Sequence, residues 1–132
     1  MAYPFYLIEP DLNERHHIQA ILTTEVSDLI VFENVESLFA RVDLSKKGCL
    51  IASAALPGPG ILALLMELER RRSALSVIVL DRNTAFRTIV AIMQAGAFDF
   101  VEPSFNDWRL VAVVHRLTNG GALHNGGNGI SM

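Results

Sequence analysis

Val77-Ile78-Val79-Leu80, followed by Asp81-Arg82-Asn83-Thr84 and then by Ala85-Phe86-Arg87-Thr88-Ile89-Val90-Ala91-Ile92-Met93-Gln94-Ala95-Gly96-Ala97-Phe98-Asp99-Phe100-Val101, decides the fold. The first four residues are continuously apolar, as in a strand buried on both faces. After a short polar break, Phe86, Ile89, Val90 and Met93 recur at helical spacing over Thr84 to Ala95. Gly96 stands where a helix ends on a residue of positive φ. A second apolar run, Ala97 to Val101, follows at once. Strand, helix and strand in so little chain make a βαβ unit with parallel strands.

The pattern extends toward the N-terminus. Further short apolar runs lie at Phe5 to Ile8, Leu29 to Phe32 and Cys49 to Ala52. Between them, Asp11 caps a helix carrying Ile18, Ile21 and Leu22, and a second helix covers Val35 to Val42. A third starts after Pro57-Gly58-Pro59-Gly60 and places Ile61, Leu64, Leu65 and Leu68 on one side. A fifth covers about Asn106 to Leu117, docked by Leu110, Val113, Val114 and Leu117. A parallel α/β sheet with helices on both faces is the expected architecture. The ordered domain is expected over residues 1–117, with 118–132 a flexible Gly- and Asn-rich tail.

The totals limit what such a domain can do. One domain accounts for 132 residues, and 51% hydrophobic content supplies its core. A net charge of −3, with Arg70-Arg71-Arg72 as the sole basic run, argues against direct nucleic-acid binding. That run reads as the cationic end of a helix. The single cysteine, Cys49, sits in an apolar stretch and suits a reducing cytoplasm. Gly48 to Met66 has no charged residue, but its two prolines and two glycines rule out a membrane helix. The chain reads as soluble, and no signal peptide precedes it.

No motif proposes a reaction. His16 and His17 are adjacent on a helix, about 100° apart, and so do not share a metal. The Pro-Gly loop lacks the lysine and glycine spacing of a phosphate cradle. No Ser-His-Asp set or Cys-His pair has a recognisable setting, and neither an enzyme nor a cofactor is expected. Trp108, Val111, Ala112 and His115 form a second stripe beside the docking stripe of the last helix. A helix apolar over so wide an arc is buried or part of an interface.

Met93-Gln94-Ala95-Gly96-Ala97-Phe98-Asp99-Phe100-Val101-Glu102 is similar to the segment MKAGAVDFIEK of bacterial response-regulator receiver domains. Gly48-Cys49-Leu50-Ile51 with Leu56-Pro57-Gly58 resembles their third strand and its loop. Over residues 4–117 the chain resembles a CheY-like receiver of the FixJ-like branch. The resemblance implies a flavodoxin-like (βα)5 three-layer sandwich with a central five-stranded parallel sheet.

It also implies a chemistry. In that family an aspartate ending the third strand takes a phosphoryl group from a kinase histidine. Two acids after the first strand hold Mg²⁺. A lysine after the fifth strand and a Ser or Thr after the fourth bind the phosphoryl oxygens, and an aromatic on the fifth strand follows. Here the acidic pair falls on Glu9 and Pro10, the acceptor on Ser53 and the Ser/Thr on Asp81. The lysine falls on Pro103, and the proline after it on Ser104. Phe100 keeps the aromatic.

A neutral serine hydroxyl without an activating base is a poor nucleophile. Asp81 would repel an incoming phosphate. The expectation is a pseudo-receiver: a phosphorylation-independent signalling adaptor without a metal or an output domain. It would act on a regulator, kinase or transcription factor, or as a homodimer. Its contact surface is expected on the fourth helix, fifth strand and fifth helix, at Ile92, Trp108, Val111, Ala112 and His115. The alternative is a small-molecule or ion sensor using the vacated pocket around Glu9, Ser53, Asp81 and Ser104. A third reading, a conventional phospho-receiver, requires that the acceptor position not fall on Ser53.

Overall fold

The computed structural model describes residues 3–82, 84–102 and 108–123, with the side chains of 119–123 left aside. Five strands and five helices alternate along the chain: β1 (Phe5–Ile8), α1 (Leu12–Leu22), β2 (Leu29–Phe32), α2 (Val35–Arg41), β3 (Gly48–Ser53), α3 (Gly60–Arg70), β4 (Leu75–Leu80), α4 (Phe86–Gln94), β5 (Asp99–Val101) and α5 (Trp108–Leu123). The strands form one parallel sheet in the order β2-β1-β3-β4-β5. This is the flavodoxin-like three-layer arrangement that the resemblance implies.

Alternation along the strands divides the core. Phe5, Leu7, Ile51, Ile78 and Leu80 face α1 and α5, meeting Ile18, Leu22, Leu110, Val113 and Val114. Leu50, Ala52, Val77 and Val79 face the other way, against Leu38, Leu64, Leu65, Leu68 and Ile92 of α2, α3 and α4. β3, in the middle, is buried at all six residues, which explains its unbroken apolar character.

Local chemistry sets the element ends. Asp11 caps α1 by accepting from the Glu14 N–H at 3.0 Å, and Asn34 caps α2 by accepting from Ser37 at 2.8 Å. Gly96, at φ 109°, closes α4 while Ala97 N–H donates to Ile92 and Gly96 N–H to Met93. α5 continues six residues beyond Leu117 to Leu123.

The core face of α4 corrects the sequence reading. Phe86 and Met93 are exposed, and the residue that enters the core is Ile92, 0% exposed. Ile92 was expected on the contact surface; it is instead buried in the core cluster on the α2–α3–α4 side of the sheet. Apolar residues cover most of this helix, so periodicity alone did not fix which face turns inward.

Candidate functional site

Ligands of open α/β sheets bind outside the carboxyl ends of the strands, where the strand order reverses. Here that point lies between β1 and β3. It holds a polar cleft of about 370 Å³ lined by Glu9, Asp11, Asn13, Glu14, Ser53, Ala55, Leu80, Asp81 and Arg82. The parallel register that pairs Ile8 with Ala52 and Ser53 with Leu80 sets the three strand ends side by side. Glu9, Ser53 and Asp81 therefore share one cleft, as their places after the strands implied.

Ser53 is 3% exposed, and its Oγ accepts from the Ala55 N–H at 3.0 Å. Glu9 is 5% exposed, and its carboxylate accepts from the Asp11 N–H at 3.0 Å. Burial pushes the Glu9 carboxyl above its ordinary range, with repulsion from Glu14, Asp11 and Asp81 adding to the rise and the Asp11 N–H opposing it. Asp81 accepts from the Thr84 hydroxyl at 2.6 Å. The cleft is thus lined by four carboxylates and one arginine, Arg82. That arginine is held by Glu14, Nε to Oε2 at 2.6 Å and Nη2 to Oε1 at 2.8 Å. Among the described residues no group of three or more His, Cys, Asp or Glu side chains converges well enough to hold a metal ion.

The other expected residues are distributed differently. Pro10 is exposed and turned toward a neighbouring apolar groove, away from the cleft. Phe100 is half-buried against the α2–α3–α4 side of the core. Pro103 and Ser104 lie outside the described residues, as do positions 124–132 of the expected tail. On α5, Trp108 is 63% exposed and Ala112 is exposed, while Val111 is half-buried.

The α5 stripe does not form one patch with α4. His115 Nε2 lies 2.7 Å from Glu25, just past α1, whereas Arg116 reaches Asp99 of β5 at 3.0 Å and stacks over Phe98. His115 therefore turns to the α1 flank, away from β5. A helix turns 100° per residue, so neighbours 115 and 116 point to opposite flanks of a docked helix.

Arg82 and Glu14 were missed. Glu14 had a visible signal, three residues after the capping Asp11, but that pattern implies a capping box rather than a distant ion pair. Sixty-eight residues separate the partners, and only the fold joins them.

The fold and this cleft define a class: a flavodoxin-like domain with a polar site at the carboxyl edge of its sheet. In sequence and structure the chain is similar to the receiver domains of response regulators, of the FixJ and NtrC kind. It is 32% identical over 116 residues to the transcriptional regulatory protein FixJ of Azorhizobium caulinodans, covering 86% of this chain and 54% of that protein. With the DNA-binding transcriptional regulator NtrC of Salmonella typhimurium it shares 26% over 111 residues, 84% of this chain and 24% of the relative. A response regulator receiver protein from Pseudoalteromonas atlantica superposes with a TM-score of 0.75 at 27% identity, over 89% of this chain and 98% of that one. Full-length FixJ from B. japonicum gives 0.78 at 20% identity, over 91% and 61%. No protein-family profile matches the chain. The chain spans about half the length of the FixJ relatives. No helix among the described residues is long and apolar enough to cross a membrane.

Proposed function

We propose that this receiver domain serves two-component-type signalling as a phosphorylation-independent adaptor in the cytoplasm, without turnover of its own. The observation that carries the reading is Ser53. It ends the central strand inside the cleft, is buried, and is flanked by Ala52, Ala54 and Ala55, so no carboxylate stands at or beside the acceptor position. Its hydroxyl has no histidine or lysine among the residues that line the cleft to remove its proton. Asp81 adds a negative charge where a phosphoryl oxygen would arrive.

An adaptor needs a surface instead. Exposed apolar side chains lie at Phe86 and Met93 of α4, at Phe98 before β5 and at Trp108 of α5. Trp108 is the expected anchor, because tryptophans at interfaces often carry much of the binding energy. The partner class is a regulator, a kinase or a transcription factor, bound in one fixed state of the domain.

The test is exposure of the purified chain to acetyl phosphate with Mg²⁺, read by intact mass, and to beryllofluoride, read by melting temperature. The expected result is no phosphoryl adduct and no shift. An adduct that Ser53→Ala removes would overturn the reading. The sensor alternative rests on the same cleft of about 370 Å³. It predicts a rise in melting temperature with a small polar ligand that Ser53→Val abolishes.

A further inference from the structure

Pro57-Gly58-Pro59-Gly60 joins β3 to α3 with little freedom of its own. The prolines fix φ, and Gly58 and Gly60 hold φ 72° and 87°, where other side chains are strained. This loop is one wall of a groove of about 490 Å³. The segment after β1 and the start of α2 supply the others, so three connections enclose it at the carboxyl edge of the sheet. Ile8, Leu56 and Leu64, all buried, and half-buried Phe39 give it apolar surface. It shares no lining residue with the polar cleft around Ser53. A concave, mostly apolar space of roughly 300–1,000 Å³ with a few polar groups is the form that small-molecule sites take.

The charged groups of the groove have one sign. Glu33, Glu36 and Glu67 line it, and no lysine, arginine or histidine does. Glu67 is already engaged from outside, by Arg71 Nε at 2.6 Å and Arg70 Nε at 3.1 Å. Arg71 also stacks over Phe39, 4.3 Å from the ring centroid, so the α3 side has its cations. Glu33 and Glu36, on the α2 side, are exposed, and no ion pair among the described residues engages either. The N-terminus of α2 offsets about half a unit of charge, less than the two carboxylates bring. An apolar hollow with uncompensated negative charge on one side remains.

We infer that the α2–α3 groove is a binding site for a small organic cation, an ammonium or guanidinium carried on an aryl or alkyl body. The body packs on Phe39, Leu56 and Leu64, and the cation meets Glu33 and Glu36. The carboxylate counterpart of such a molecule is rejected by charge. The enclosed shape favours a small molecule over a peptide, and walls made of prolines lose little freedom on binding. The site depends neither on Ser53 nor on the Trp108 surface, so its failure and that of the adaptor reading are distinguishable.

Titration of the isotope-labelled full chain with phenylbutylammonium, read by amide chemical shifts, tests it. The amides of Phe39, Ala63 and Leu64 are expected to move, and those of Ser53 and Asp81 to stay. Phenylbutyrate, the same body with a carboxylate, is expected to bind about tenfold more weakly or worse, with phenylbutanol between them. Glu33→Gln with Glu36→Gln is expected to bring all three within about twofold of one another. Ala63→Phe, which fills the groove, is expected to abolish binding, and Ser53→Val to leave it unchanged. Should Ala63→Phe fail to fold, the paired glutamine change decides alone. Absence of any shift at millimolar phenylbutylammonium overturns the inference. So does equal binding of phenylbutyrate, a cation preference that survives the paired glutamine change, or binding that Ser53→Val removes. A groove that takes a blocked peptide of alternating leucine and lysine, and not phenylbutylammonium, overturns it as well.

Discussion

The Arg82 guanidinium grips the Glu14 carboxylate with two hydrogen bonds, of 2.6 and 2.8 Å, and so ties the segment after β4 to the first turn of α1. Arg82 holds the Glu14 carboxyl below its ordinary range. A depressed carboxyl contributes stability above its unfolded pKa, and loses it as pH falls through the folded one. Both side chains keep some exposure, so a coupling of about 0.5–1 kcal/mol is expected from a double-mutant cycle of Arg82→Gln and Glu14→Gln. It is expected to fade with salt and at acid pH. Strictly additive single effects would show that the bridge contributes nothing.

Ile92 and Trp108 separate core from surface. Ile92→Ala leaves a cavity in the core cluster beneath α4 and is expected to cost about 2–5 kcal/mol in denaturant unfolding. Trp108→Ala removes an exposed ring and is expected to stay within about 0.5 kcal/mol of the wild type. The reverse ranking would mean that the inward face of α4 has been assigned wrongly.

These residues also show what a sequence makes legible. Strand positions were readable because a parallel strand buried on both faces needs an unbroken apolar run, and VIVL is one. The cleft was readable because its members follow strand ends: Glu9 after β1, Ser53 closing β3, Asp81 after β4. Which way α4 faces was not, since Phe86, Ile89, Val90, Ile92 and Met93 offer two competing stripes. Nor was the side to which His115 turns, because its partner Glu25 lies just past α1 and only the fold brings the two together. The Arg82–Glu14 bridge is a product of topology and has no local trace.

Arg72 is the one described residue other than glycine with positive φ, at 56°, just past α3. It holds the place that Gly96 holds after α4: Ser73 N–H donates back to Leu68, and Arg72 N–H to Glu69. A side chain there is strained, though glycine costs more entropy in the unfolded chain. Arg72→Gly is therefore expected to stabilise by about 0.5 kcal/mol in urea unfolding. A loss of stability would show that the arginine side chain makes up for its backbone.

Restoring the acceptor is not expected to restore the chemistry. Ser53→Asp adds a fifth carboxylate to a cleft already lined by Glu9, Asp11, Glu14 and Asp81. Two unit charges about 4 Å apart repel by roughly 4 kcal/mol at an effective dielectric near 20, so one of the group must take up a proton. Glu9 already sits above its ordinary pKa because of burial and these same neighbours. An acid whose folded pKa is raised costs stability as pH rises through that pKa, because the folded state must give up a proton it holds more tightly than the unfolded chain does. Ser53→Asp is therefore expected to melt lower than the wild type at neutral pH, and to recover toward it as the pH falls to about 4–5, where carboxyls begin to protonate. Adding Glu9→Gln, which removes one charge and keeps an acceptor for the Asp11 N–H, is expected to recover most of the loss at neutral pH. Neither variant is expected to gain a phosphoryl group from acetyl phosphate, because Asp81 still opposes it. A phosphoryl adduct on Ser53→Asp alone would show that the serine is the sole lesion in this site, and that Asp81 is no obstacle.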